Sequence, residues 1–240
     1  MFDPNSLKIK LFADGANISE MFEMNEKSYI KGLTTNPTLM RKSGIDNYEN
    51  FAKEVLATVT TKPVSFEVFS DDFHEMIKQG KKIASWGDNV YVKIPITNTT
   101  GKSSKSVLRE LQLSGIKVNV TAIMTLNQVD EICEILDGNI PSCISIFAGR
   151  IADTGRDPEL LLKKALEISK ELKYTEVIWA SPRELFNIFQ AIRINCHIIT
   201  ATKDILKKLE LVDYPLDKYS LDTVKMFAND AKESRFQINI

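Results

Sequence analysis

A lysine in the middle of an apolar run is the most informative residue of this chain. In Asn89-Val-Tyr-Val-Lys-Ile-Pro-Ile96, Lys93 sits among β-branched and aromatic neighbours, where an unpaired ammonium is costly to desolvate and a buried lysine tends to a lowered pKa. A neutral primary amine is the nucleophile that attack on a ketone requires. Glu67 interrupts Val64-Ser-Phe-Glu-Val-Phe69 in the same way, and Asp14 ends Ile9-Lys-Leu-Phe-Ala-Asp14. A lysine with two carboxylates nearby fits imine chemistry on a carbonyl compound.

Other polar groups close similar runs. Thr34, Thr35 and Asn36 end a second one, just before Pro37. Asn119 and Thr121 stand two apart in Lys117-Val-Asn-Val-Thr121 and so share a face. Ser145 lies in Ser142-Cys-Ile-Ser-Ile-Phe147 with Arg150 soon after, and Ser181 and Arg183 follow Val177-Ile-Trp-Ala180. Taken singly, such residues read equally well as helix caps or turn residues; as a set, a shared site explains them better. Arg150 and Arg183 could each grip a phosphate through two parallel hydrogen bonds, or simply sit in a surface ion pair.

The elements that must position these groups alternate along the chain. Candidate strands are Ile9–Ala13, Gly32–Thr35, Val64–Phe69, Val90–Ile94, Lys117–Thr121, Cys143–Phe147, Val177–Ala180 and His197–Thr200. Amphipathic helices are expected at Tyr48–Thr58, Asp72–Ser85, Lys105–Ser114, Leu126–Leu136, Pro158–Leu172 and Pro182–Ile192. This rhythm predicts βαβ units and a parallel sheet. Eight repeats predict an α/β fold of the TIM (β/α)8 barrel type, with a doubly wound open sheet as the alternative on pattern alone. Seven of the eight strands carry polar groups at or near their C-terminal ends, the end at which barrel active sites are built. One domain is expected over residues 1–240, with 203–240 as a helical extension containing helices at Lys203–Leu211 and Leu221–Arg235. In the last of these, Leu221, Val224, Met226, Phe227 and Ala231 form an apolar stripe. It could cap the barrel or pack on a neighbouring subunit, and the sequence leaves both open.

Composition narrows the partners. The 240 residues carry a formal charge of −1, with 43% hydrophobic and 26% charged residues, so no global field draws the chain to nucleic acid or an anionic membrane. The start, Met1-Phe-Asp-Pro-Asn5, reads as no signal peptide, and no stretch has the eighteen or so apolar residues a membrane span needs. Cys133, Cys143 and Cys196 are an odd count without ligand spacing, as expected of buried thiols in a reducing cytoplasm. His74 and His197 are the only histidines and lack ligand spacing, so no metal site is expected. Gly101-Lys-Ser103 is not a nucleotide loop, because Ile96 stands where the glycine five residues earlier should be.

Four pieces, Gly32-Leu-Thr-Thr-Asn-Pro-Thr38, Val92-Lys-Ile-Pro95, Asn119-Val-Thr121 and Phe147-Ala-Gly-Arg150-Ile-Ala-Asp153, occur in this order, and through them the chain resembles the transaldolase family, including the related fructose-6-phosphate aldolases. The resemblance implies a TIM barrel with a Schiff-base lysine on the fourth strand, where Lys93 falls, and no metal or cofactor. It implies that Lys93 attacks the ketone of a sugar phosphate, and that Asp14 is general base for cleavage of the C3–C4 bond. It further implies that Glu67 and Thr121 hold a catalytic water. Thr34, Asn36, Asn119 and Ser145 match positions around the lysine and the substrate hydroxyls; Arg150, Ser181 and Arg183 match phosphate-binding positions. Fructose-6-phosphate aldolases typically carry glutamine at the position of Glu67 and tyrosine at that of Phe147, so the resemblance leans to transaldolase. A non-catalytic sugar-phosphate-binding barrel is the contrasting reading, against which stands a lysine that a binder does not need. Pro182 departs from the phenylalanine common in relatives, which bears on the phosphate end. The length resembles short members, which implies a homo-oligomer, a pentamer or decamer ahead of a dimer.

Overall fold

The computed structural model describes residues 2–235 and 237–238. Eight parallel strands close into a barrel in chain order, with the eighth paired to the first. This is a (β/α)8 barrel, and it removes the open-sheet alternative. The first half runs β1 (Lys10–Asp14), α1 (Ile18–Glu26), β2 (Ile30–Thr34), α2 (Pro37–Lys42), α3 (Tyr48–Thr58), β3 (Val64–Glu67), α4 (Phe73–Ala84), β4 (Val90–Pro95) and α5 (Lys105–Leu113). The second half runs β5 (Val118–Ile123), α6 (Leu126–Cys133), β6 (Ser142–Ile146), α7 (Ala148–Ala152), α8 (Pro158–Ser169), β7 (Thr175–Trp179), α9 (Phe186–Arg193) and β8 (Ile198–Thr202). Then come α10 (Lys203–Lys207), a 3-10 turn at Lys208–Leu211, and α11 (Leu216–Glu233).

Side chains alternate across each strand, and the two faces have different chemistry. On β4, Val90, Val92 and Ile94 join the large core under the helices, while Tyr91 and Lys93 turn to the barrel interior. The same holds for Val118 and Val120 against Asn119 and Thr121 on β5, and for Ile144 and Ile146 against Cys143 and Ser145 on β6. Within the interior, Phe12, Cys143, Ile178, Ala180 and Ile198 form a small apolar cluster with Tyr91 and Phe147, and polar residues occupy the end beyond it. Phe12 fits because its register partner is Gly32; a Cβ there would lie 2.5 Å from the Phe12 ring.

The loops leading into the helices end in short polar residues. Asn17, Asn36, Asn47, Asp72, Thr125 and Asp157 each accept a hydrogen bond from a backbone amide of the first helical turn, satisfying donors a helix start leaves free.

Several boundaries differ from expectation. α1, α2 and α7 were not foreseen. β5 continues to Ile123 through Ala122, which has φ 63° and accompanies a register shift against β6. The helix expected from Pro182 starts only at Phe186, because the Asn187 side chain accepts from the amides of Arg183 and Glu184 and closes a turn there. The last helix starts earlier than predicted, at Leu216, and none of its residues is buried. Leu216 is 82% exposed and Phe227 61%, and no α11 residue lines the barrel mouth; capping of the barrel is thus not what α11 does. Residues 236, 239 and 240 of the expected extension lie outside the described residues. Among those described, no helix is long and apolar enough to cross a membrane.

Candidate active site

The C-terminal ends of the strands surround a cavity of about 500 Å³. Every residue singled out as a site candidate lines it except Thr35, whose Oγ1 donates instead to the Ser65 carbonyl oxygen at 2.9 Å. Asp14 comes from β1, Thr34 and Asn36 from the end of β2, Glu67 from β3, and Lys93 from β4. Asn119 and Thr121 come from β5, Ser145 and Phe147 from β6 and its end, Arg150 from α7, and Ser181 and Arg183 from the loop after β7.

Lys93 stands at the centre, only 6% exposed. Its Nζ donates to the Thr35 carbonyl oxygen at 3.0 Å and lies 3.1 Å from Glu67 Oε2. Register explains the second contact, since Glu67 and Lys93 are paired positions on adjacent strands. Taking such a pair out of water is expensive, and the barrel bears that cost in the middle of its interior. The Tyr48 hydroxyl donates to the Glu67 carbonyl oxygen at 2.9 Å, fixing the end of β3.

Asp14 is the second carboxyl. Thr34 Oγ1 donates to its Oδ1 at 2.8 Å, and Asn36 Nδ2 reaches its Oδ2 at 3.4 Å. Asn36 does two jobs, for its Oδ1 accepts from the Leu39 amide at 2.9 Å and caps α2. Burial holds the Asp14 pKa above the ordinary carboxylate range, against the opposing pull of Lys93 and the bonds from Thr34 and Asn36.

Below the lysine a buried chain joins three strands: Ser145 Oγ donates to Asn119 Oδ1 at 2.7 Å, and Asn119 Nδ2 donates to Ser65 Oγ at 3.0 Å. Thr121 Oγ1 is buried without a hydrogen-bond partner. The residue belongs to the cavity wall, and a buried hydroxyl left without a partner is uncommon enough to mark the position.

The side of the cavity that holds Arg150, Ser181 and Arg183 rests on a tight contact between α7 and the loop after β7. A Cβ on Gly149 would lie 1.7 Å from the Ser181 carbonyl oxygen, so only glycine lets the two segments meet. Ser181 has φ 59°, a left-handed conformation costly for a residue with a side chain. Together these bring Arg150 and Ser181 to one side of the cavity. Arg183 is already engaged: its Nε donates to Asp153 Oδ1 at 3.0 Å and a terminal nitrogen donates to Asp153 Oδ2. That guanidinium holds the Asp153 carboxyl below its ordinary pKa. Arg150 is in no ion pair among the described residues and is the freer cation.

Three site residues escaped the sequence reading. Thr200 and Thr202 of β8 line the cavity, and Ser65 ends the buried chain. Thr200 and Thr202 are two apart, so their spacing was available as a signal. The cysteines behave as expected of structural thiols: Cys143 and Cys196 are buried and Cys133 partly so, with burial pushing the Cys133 thiol up to about 11. Among the described residues no group of three or more His, Cys, Asp or Glu side chains could hold a metal ion.

A closed parallel barrel with a buried lysine between two carboxyls at its C-terminal mouth is the framework of an enzyme of the aldolase and transferase kind. Known proteins agree. The family model for transaldolase/fructose-6-phosphate aldolase matches residues 11–239, and the chain belongs to that family. A "Probable transaldolase" from Dehalococcoides mccartyi is 32% identical over 209 residues, covering 87% of this chain and 92% of that one. Another from Methanococcus maripaludis is 34% identical over 219 residues, covering 89% and 97%, and one from Shouchella clausii is 34% identical over 219 residues, covering 89% and 96%. Among solved structures, a dihydrodipicolinate synthase from Rhodopseudomonas palustris superposes with a TM-score of 0.57 at 11% identity, covering 92% of this chain and 80% of that one. At that identity the likeness is one of fold alone.

Proposed function

We propose that the protein is a transaldolase, moving a three-carbon dihydroxyacetone unit from a ketose phosphate, sedoheptulose 7-phosphate or fructose 6-phosphate, to an aldose phosphate. The observation that carries this reading is the Lys93 amine, buried and 3.1 Å from Glu67 in a cavity shared with Asp14.

In its neutral form Lys93 attacks the C2 ketone, and the carbinolamine loses water to give an imine. Glu67, beside the amine, and the unpartnered Thr121 hydroxyl hold the water and pass the protons of these steps. Asp14 takes the proton of the C4 hydroxyl. The C3–C4 bond then breaks, its electrons move into the imine to form an enamine, and the aldose phosphate departs. Burial makes Asp14 a better base than an exposed carboxylate. The enamine attacks an aldehyde acceptor, Asp14 returns its proton to the new hydroxyl, and water releases the product from Lys93.

Thr34, Asn36, Asn119 and Ser145 face the hydroxyls of the chain, while Arg150, Ser181 and Arg183 hold the phosphate. Phe147, lacking a hydroxyl, gives the enamine no proton, so the fragment waits for an aldehyde and free dihydroxyacetone is not released. The setting we propose is the cytoplasm and the exchange of sugar phosphates typical of the pentose phosphate pathway. The working form we propose is a homo-oligomer in which the exposed stripe of α11 packs on a neighbouring subunit.

Borohydride reduction in the presence of fructose 6-phosphate, followed by peptide mass analysis, tests the reading. A three-carbon adduct on Lys93, absent from Lys93→Ala, is expected; a chain that turns over the sugar with no adduct on that residue overturns it. Turnover that needs erythrose 4-phosphate marks the transferase, and turnover without an acceptor marks the aldolase.

A further inference from the structure

β8 was the one strand to which the sequence assigned no polar group, yet it sends Thr200 into the cavity wall, 7% exposed. Thr200 Oγ1 and Thr34 Oγ1 lie 2.6 Å apart, and Thr34 Oγ1 lies 2.8 Å from Asp14 Oδ1. The three groups form one buried chain that crosses from β8 to β2 past β1, whose Phe12 is the register partner of Thr200 and whose Asp14 is that of Thr34.

A hydroxyl has one proton to give and lone pairs to receive with. When Asp14 is a carboxylate it only accepts, so Thr34 donates to it and Thr200 donates to Thr34. When Asp14 carries a proton on Oδ1, the oxygen to which Asn36 does not donate, it donates to Thr34, the proton of Thr34 turns to Thr200, and the proton of Thr200 turns into the cavity that residue lines. Both charge states are served, but not equally. Deleting the Thr200 hydroxyl leaves every donor of the carboxylate state satisfied, since Thr34 still donates to Asp14. In the protonated state the same deletion strands the Thr34 proton without an acceptor in a buried place. An orphaned buried donor costs more than the lost polarisation of a neighbouring bond.

We infer that Thr200 is a positioning residue that lets Asp14 keep a proton, by serving as the terminal acceptor of the Thr34 hydroxyl. This rests on the transaldolase reading, in which Asp14 must hold the proton taken from the donor sugar until the acceptor arrives. The other charged groups lining the cavity, Lys93, Glu67, Arg150 and Arg183, are the same with and without the Thr200 hydroxyl. A difference between variants therefore reports the chain itself.

The test compares Thr200→Val, which keeps the shape and removes the hydroxyl, with Thr200→Ser, which keeps the hydroxyl. In Thr200→Val the acid limb of the kcat profile moves to lower pH and kcat falls roughly tenfold, the scale of an orphaned buried hydroxyl, with KM little changed. Thr200→Ser restores the wild-type limb. The 13C titration of the Asp14 carboxyl, which needs no turnover, shows roughly tenfold weaker proton affinity in Thr200→Val alone. An unmoved or upward-moved Asp14 titration in Thr200→Val overturns the inference, as does equal impairment of the two variants. Absence of a Lys93 adduct in the wild type strikes the transaldolase reading instead and leaves the Asp14 titration to decide the role of Thr200.

Discussion

Glu67 and Lys93 occupy paired positions on β3 and β4, and their side-chain ends meet at 3.1 Å within the barrel. Strand register thus sets a carboxyl beside the Lys93 amine without any loop. Glu67→Gln keeps the size and the hydrogen-bonding shape but takes up no proton. Adduct formation on Lys93 should persist yet slow by about 10²–10⁴-fold, the span typical of a lost proton-transfer partner. Rapid-quench borohydride trapping measures it, and an unchanged rate removes Glu67 from the chemistry.

Asp14 couples activity against stability. Its pKa is raised in the folded protein, chiefly by burial, so the folded state binds this proton more tightly than the unfolded chain does. The stability it contributes is full below the unfolded carboxyl pKa and is lost as pH rises through the folded one. Asp14→Asn should therefore melt higher than the wild type at neutral pH, by about 2–4 °C per kcal/mol recovered, and the gain should vanish in acid. Turnover in the same variant should collapse. Paired thermal melts and assays check the two halves, and a neutral-pH melting point below wild type counts against the burial account.

In the proposed mechanism Phe147 guards the enamine by what it lacks. Phe147→Tyr places a proton donor at the cavity wall, and acceptor-independent release of dihydroxyacetone from fructose 6-phosphate should rise. An assay without aldehyde measures it; no gain means that another feature separates the two activities of the family.

Arg150 and Arg183 should differ in effect. Arg183 is spent in part on Asp153, whereas Arg150 has no such partner. Arg150→Ala should raise KM for a phosphorylated sugar by roughly 10–100-fold, the scale of a charge-assisted hydrogen bond. Arg183→Ala should show a smaller rise, and comparison with unphosphorylated fructose should abolish both differences. Equal effects on both sugars would take phosphate binding away from these arginines.

Gly149→Ala should destabilise the protein by about 1–3 kcal/mol or more, because α7 must move off the Ser181 carbonyl. The same movement displaces Arg150, so KM should rise as the melting point falls. A variant as stable as the wild type would mean that the close approach is not maintained in solution.

Lys93, the two carboxyls and most of the polar wall were legible in the sequence because Lys93 and Glu67 break apolar runs that otherwise proceed without charge. Thr200 and Thr202 broke nothing: threonine is a favoured strand residue, and a β-branched side chain hides its hydroxyl inside an ordinary strand pattern. Ser65 was passed over in the same way beside Glu67. The helices followed the same logic. The long amphipathic ones were readable within a few residues, while α2 and α7, with 6 and 5 residues, are too short to display a period. α7 packs where it does because Gly149 can approach a carbonyl thirty-two positions away in sequence, information that no local window contains. Strain was invisible too: nothing about Ala122 or Ser181 as residue types announces a positive φ.

The barrel interior is stoppered at its far side by Phe12, Cys143, Ile178 and Ile198. Among the described residues, the cavity above this floor is lined by the C-terminal ends of the strands. In the proposed two-substrate exchange, the departing aldose would leave through the opening by which the acceptor enters. On that proposal the architecture favours an order of events in which the tethered carbon unit stays behind between visits.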